Sequence, residues 1–278
     1  MPSVKVSTKA QQAILYIASA LVLIMGLILY FLSDNTATYF AWTIGVPLTA
    51  AFLGAGYLAS FILEFMAARE QIWARSRVAV PTVLLFTSLT FIITLVHLDK
   101  FHLGTSNPLT LILTWAWIIV YATVPFIMGF ILIMQLRAQG VNPPIIAALP
   151  SWFRLILGLQ AAIMLVLGLA LLLLPETAMP LWAWELTPLT ARAIGAWLVG
   201  MGVAGAQSVS ENDWLRLRPA MLAFMSYALL QLINLLRYPN ASGLDWSALK
   251  TWLYLAFIFS ILIIGAFGTW QVQKHKEA

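Results

Sequence analysis

Eight runs of apolar residues dominate this chain. They cover roughly 12–33, 47–67, 78–97, 109–135, 154–174, 189–209, 219–237 and 250–271. Each approaches or exceeds the ~20 residues a helix needs to cross a bilayer. In hydrocarbon no water is present to bond the backbone, so a run of this length must satisfy its amides internally as a helix. Composition agrees. Of 278 residues, 62% are apolar and 9% charged, where a soluble domain keeps about a quarter charged. Such a chain cannot cover a water-facing surface. The expected fold is an all-α integral membrane protein with eight transmembrane helices.

The second half of the chain repeats the first. Glu70-x-x-Trp73-x-Arg75-x-Arg77 returns 141 residues later as Glu211-x-x-Trp214-x-Arg216-x-Arg218. Pro47-Leu48-Thr49-Ala50 returns as Pro188-Leu189-Thr190-Ala191, and Gly54-Ala55 as Gly195-Ala196. Between Pro47 and Leu95, fourteen of forty-nine positions are identical at this offset. Apolar composition produces some Leu and Ala matches by itself, but not the matched Glu, Trp, Arg, Arg run. Upstream the offset is 142, aligning Gly26-Leu27 with Gly168-Leu169 and Ala41-Trp42 with Ala183-Trp184. Near the end it is 137, aligning Thr114-Trp115 with Thr251-Trp252. Four spans per copy return the chain to the same side. The copies are therefore expected to be parallel, a 4+4 arrangement with a pseudo-twofold axis along the membrane normal. The expected division is a first four-helix repeat over 1–135, a cytoplasmic linker over 136–153 rich in proline, and a second repeat over 154–278.

Lysine and arginine counts orient the bundle. With the N-terminus cytoplasmic, eleven basic residues lie inside and Lys100, Arg192, Arg237 and Lys250 lie at the outer side. The expected protein is a multi-pass protein of the cell (inner) membrane with both termini cytoplasmic. Lys5 and Lys9 before the first run resemble a signal peptide, but the run is long enough to span and no small-x-small site follows it, so it reads as an uncleaved helix. Trp42, Trp182, Trp184 and Trp246 fall in outer loops, with Trp252 just inside the last helix, where indoles commonly anchor at the headgroups.

Three groups of residues could carry chemistry. Trp73, Arg75, Arg77, Trp214, Arg216 and Arg218 form a doubled basic-aromatic cluster on the cytoplasmic side. Arginine forks onto phosphate, so anionic lipid headgroups are one expectation. The plainer one is that these arginines hold the link inside, each glutamate neutralising a local arginine. At the outer side stand His97, Asp99 and His102, with Glu185 and Arg192 in reach. Histidine beside a carboxylate can serve acid–base chemistry, but the spacing fits no zinc signature and the second copy lacks it. Within the spans, Glu64 and Arg192 lie close enough to an interface to snorkel, and Arg192 could pair with Glu185. Small residues crowd the second and sixth runs, making these two helices the expected contact between the halves.

Absences bound the function. With no cysteine there is no thiolate zinc site and no Cys-ligated iron–sulfur cluster. No lysine lies at membrane depth, and the spans contain no histidine pair, phosphate loop or nucleophile elbow. No catalytic residue, metal or cofactor is expected, and basic residues in short clusters between spans do not suit nucleic acid. The leading expectation is a non-enzymatic, lipid-interacting or structural subunit with membrane lipids and other membrane subunits as partners. The alternatives are a transporter of a neutral or apolar small molecule with its site between the repeats, and an outer-face enzyme using His97 and Asp99.

Overall fold

The computed structural model describes residues 3–277, with side chains to 275. Among these residues eight helices are long and apolar enough to cross a membrane, and no strand forms. They are α1 (Lys9–Phe31), α2 (Pro47–Ala68), α3 (Ala79–Val96), α4 (Pro108–Arg137), α5 (Ser151–Leu173), α6 (Pro188–Glu211), α7 (Trp214–Arg237) and α8 (Leu249–Glu277). Local chemistry sets several starts. Proline stands at the first position of α2, α4 and α6, where its missing N–H costs no helical bond. Asn107, Thr187 and Asp213 cap α4, α6 and α7 by accepting from early backbone amides.

Packing follows one scheme. α1 lies along α2, α5 along α6, α3 against α4 and α7 against α8. Between the halves, α2 packs on α7 and α3 on α6. Helices α2 and α6 are the most buried, and α4 the least. Glycine permits the close crossings. A Cβ on Gly54 would stand 2.5 Å from the backbone nitrogen of Tyr30, and one on Gly195 would stand 2.7 Å from the carbonyl oxygen of Gly168. The small residues thus mostly serve α1–α2 and α5–α6. This corrects the expectation that they join α2 to α6, which touch only slightly; Gly56 against the Trp197 ring is such a contact.

An even number of spans puts the two ends of the bundle's chain on one face, here termed the terminal face. There the N-terminal segment is strapped down. Lys5 donates its amide to Val141, Trp73 donates to the Lys5 carbonyl, and Gln135 brackets the segment through Val6 and Thr8. The segment between α4 and α5 is held in a similar way: Trp214 donates to the Ala147 carbonyl, and Asp213 and Asn212 accept from Ile146 and Leu149.

The two copies of the Glu-x-x-Trp-x-Arg-x-Arg motif differ locally. The first holds a single helical turn, Trp73–Ser76, before α3 begins. The second spans a two-residue link: Glu211 ends α6, Asn212 and Asp213 connect, and Trp214 to Arg218 already belong to α7. Asp213 caps that helix, whereas Ile72 at the corresponding position cannot. Pro81 has no N–H to offer the Arg77 carbonyl, which accepts instead from Gln207 Nε2 at 3.1 Å.

Candidate functional site

Two cavities flank the bundle, one in each half. The first, about 150 Å³, lies among α1, α2, α3 and α4. The second, about 430 Å³, lies among α5, α6, α7 and α8. Each exists because the outermost helix leans away: α4 meets α1, and α8 meets α5, at only a few positions. The rims carry lipid-exposed residues, Leu21, Ile24 and Ala116 in the first half and Ile163, Leu181 and Leu253 in the second. Both cavities therefore open sideways, toward hydrocarbon.

Their walls correspond position by position. From α4 come Leu113, Ala116, Trp117, Val120, Tyr121 and Val124. From α8 come Lys250, Leu253, Tyr254, Phe257, Ile258 and Ile261, the same six positions at the 137 offset. The spacing i, i+3, i+4, i+7, i+8, i+11 is one face of a helix. Leu21, Val22 and Met25 of α1 match Ile163, Met164 and Leu167 of α5 at 142. A third void, about 40 Å³, lies between the halves, with α2, α3, α6 and α7 around it. That volume is far below the ~300 Å³ at which ligand pockets begin.

Polar groups differ between the lateral cavities. Glu64 lines the first. It does not snorkel, being 1% exposed, because α2 is central and surrounded. Ser60 donates to its Oε1 at 2.7 Å, and its Oε2 has no partner among the described residues. Above it the hydroxyls of Tyr57 and Tyr121 bond each other at 2.6 Å. In the second cavity Lys250 stands at the far-face mouth, beside Trp182.

At the terminal face the motif arginines are engaged across the halves. Arg77 forks onto Glu211, its Nη2 at 2.7 Å, and Arg216 donates to the same carboxylate at 3.1 Å. Arg218 faces Glu70 at 3.6 Å. The expected local neutralisation is thus corrected for Arg77 and Arg218, whose partners come from the opposite copy. Arg216 pairs locally, with Glu211 and, at 3.9 Å, with Asp213. Arg75 is half-buried and has no ion pair among the described residues. Trp73 and Trp214 are buried rather than set against lipid, Trp214 packing on Phe153 at 4.6 Å.

At the far face the sequence cluster separates into local pairs. Arg192 does not reach Glu185. It donates to His97 Nε2 at 2.8 Å and to the Leu172 carbonyl. Glu185 accepts from Ser242. Asp99 pairs with Lys100 at 2.8 Å, both exposed. His102 lies against Thr43 and the Phe40 carbonyl. No group of three or more His, Asp and Glu side chains among the described residues stands close enough to hold a metal. Burial first, and the Arg192 guanidinium second, hold the His97 pKa below its ordinary value. The tryptophan belt is also corrected. Of its five tryptophans, Trp42, Trp182 and Trp184 are buried in aromatic clusters, and Trp246 and Trp252 are exposed. Trp42 meets Phe40 at a tilt and Trp117 edge-to-face; Trp184 meets Trp182 and Tyr254 edge-to-face.

Sequence reasoning missed both cavities. The signal was the six-position stripe on the fourth and eighth runs. Lys250, counted there only for orientation, is part of it. Against known protein families, curated proteins and solved structures, the chain matches none. The fold itself is that of a polytopic helical membrane protein.

Proposed function

We propose that this is a non-enzymatic, lipid-interacting protein of the cell (inner) membrane, with both termini cytoplasmic, whose halves are two parallel four-helix repeats about a pseudo-twofold axis along the membrane normal. The paired lateral cavities carry this reading. They are apolar, open to hydrocarbon, and lined by residues that the repeat places at equivalent positions. Chemistry of that kind suits an acyl chain better than a polar substrate.

The repeat is supported by contacts as well as by offsets. Seven pairs of residues 141 apart line the central void, among them Gly56 with Trp197 and Phe86 with Tyr227. The Glu70–Arg218 and Glu211–Arg77 pairs exchange partners between copies, as a twofold relation requires. The Lys5–Trp73 and Ala147–Trp214 backbone bonds are likewise related, so the repeat unit starts before its first span.

A transporter with its site between the repeats has weaker support: the central void has room for little beyond a water, and the polar cavity of about 270 Å³ at the far-face seam, lined by Thr49, Glu185 and Thr190, shares no lining residue with it. An outer-face enzyme would need His97 and Asp99 to share a substrate, and each is committed elsewhere. Headgroup binding at the terminal face narrows to Arg75, the motif arginine without a carboxylate partner. The test is lipid retention. Purified protein is expected to carry phospholipid through detergent exchange, and Leu253→Trp, which fills the larger cavity, should remove it. Retention unchanged by that substitution would refute the reading.

A further inference from the structure

The second cavity carries two polar groups that its apolar walls do not use. Lys250 donates only to the Pro180 carbonyl, at 3.4 Å, and forms no ion pair among the described residues. The nearby Asp245 carboxylate accepts the Ser247 amide and hydroxyl on one oxygen, Oδ1, and acts on Lys250 as a neighbouring charge without closing to an ion pair. Trp182 is 4% exposed, and its Nε1–H has no acceptor. Both residues line the cavity. A buried donor left unpaired is costly, so an acceptor oxygen supplied from outside resolves it. Beside a free ammonium, that oxygen belongs to an anion.

The apolar wall fixes the rest. From Lys250 the cavity follows α8 for three turns to Ile261, ~16 Å along the axis. One leaflet of a ~30 Å hydrocarbon core has about that depth. We propose that the second cavity binds one anionic phospholipid from the leaflet at the far face. One acyl chain lies along α8, between Leu253 and Phe257 on one wall and Ile163 and Leu167 on the other. The phosphate meets Lys250, and a phosphate or ester oxygen accepts from Trp182 once the indole turns, since its Nε1 is otherwise covered by its neighbours. The open rim lets the second chain remain in the bilayer. The first cavity lacks this chemistry. Leu113 and Phe40 stand where Lys250 and Trp182 do, and the volume is about a third.

This assignment rests on the lipid-interacting reading above, and one experiment separates the two. Delipidated full-length protein is incubated in detergent with phosphatidylglycerol or phosphatidylcholine of the same chains, and bound lipid is counted by native mass spectrometry. One phosphatidylglycerol is expected to be retained in preference to phosphatidylcholine. Lys250→Gln should lower that preference about fivefold, and Lys250→Arg should restore it. Trp182→Phe, which keeps the ring packing, should weaken retention of both lipids. Equal retention of the two lipids by the native chain, or a preference undiminished in Lys250→Gln, overturns the headgroup assignment. Retention that survives both Leu253→Trp and Ile163→Trp overturns the cavity reading itself.

Discussion

The first and second cavities share a framework and differ in filling. Their α4 and α8 walls use the same six positions, yet one holds about 150 Å³ and the other about 430 Å³. Side chains contribute to the difference. Tyr57 and Tyr121 stand in the first half where Leu198 and Ile258 stand in the second, and the two hydroxyls close on each other at 2.6 Å. Polarity is also placed at opposite ends: a buried carboxyl, Glu64, toward the terminal face of one, and a cation, Lys250, at the far-face mouth of the other. The α1–α2 and α5–α6 crossings, by contrast, are alike, although α8 packs more closely on α7 than α4 does on α3. Backbone proximity at Gly54 and Gly195 sets them, and such contacts tolerate little variation. On the proposed repeat, the bundle keeps its inner crossings while a few side chains give each half its own chemistry.

The largest expected effect tests the two cross-half ion pairs. Glu211 is 2% exposed and serves both Arg77 and Arg216. Glu211→Gln leaves two guanidinium groups with half their partner lost in a confined site, which should cost ~3–5 kcal/mol. Glu70→Gln touches only the looser Arg218 pair at 3.6 Å, a third exposed on the arginine side, and should cost less than ~1 kcal/mol. Denaturant titration in detergent measures both. Equal losses would mean that the two pairs are not the unequal clasps their geometry describes.

Next come the helix crossings, where the halves should respond alike. Gly→Ala in a helix usually stabilises by reducing unfolded-state freedom. At Gly54 and Gly195 the new methyl would meet backbone atoms at 2.5 and 2.7 Å, which cannot move aside as a side-chain tip can. Each substitution is expected to destabilise by up to ~3 kcal/mol. If one were neutral, the crossings would not be equivalent.

Exchanging cavity residues tests the difference directly. Tyr57→Leu together with Tyr121→Ile gives the first half the side chains of the second. Both hydroxyls leave together, so no buried partner is orphaned. A stability loss of ~2 kcal/mol is expected from the removed ring volume. The informative readout is a second retained phospholipid, without preference for an anionic headgroup, because Leu113 and Phe40 remain at the mouth. Strong anionic preference of that second lipid would mean that headgroup selection does not require Lys250.

The spans, the doubled motif and the position of the loops were legible in the sequence because each rests on local pattern: apolar run length, turn residues and repeated side chains. Helix ends agreed to within a few residues except at Trp214, where the cap from Asp213 extends α7 by five, and at Glu277, where α8 runs six residues past its apolar stretch. What was not legible depends on which helices meet. Glu64 reads as an interfacial carboxylate from its place near the end of a run, but α2 is central and buries it. Trp42 and Trp184 read as headgroup anchors from their loops, but those loops fold back over the bundle as aromatic plugs. His97 and Arg192 lie 95 residues apart and meet only because α3 packs on α6.

That last pair gives the smallest expected effect and the clearest asymmetry in pH. A guanidinium can only donate, so the His97 Nε2 facing Arg192 must carry a lone pair. Protonation would turn an acceptor into a second cation beside the first. The folded pKa is accordingly below the ordinary histidine value, through burial and then through Arg192. Unfolded chain therefore binds the proton at a pH where the folded chain does not, and stability rises with pH in that interval. The contribution is present above the ordinary value of about 6.5 and is lost as pH falls from there toward the folded value. The corresponding residue in the second half is Tyr238, bonded to Ser33 and Asp34, with its pKa raised above 10 by burial. It cannot titrate in this range. Acidification from pH 7 to 5 should thus lower the unfolding midpoint slightly, and His97→Gln should flatten that particular slope while Tyr238→Phe leaves it in place. A slope unchanged in His97→Gln would place the acid-sensitive group elsewhere.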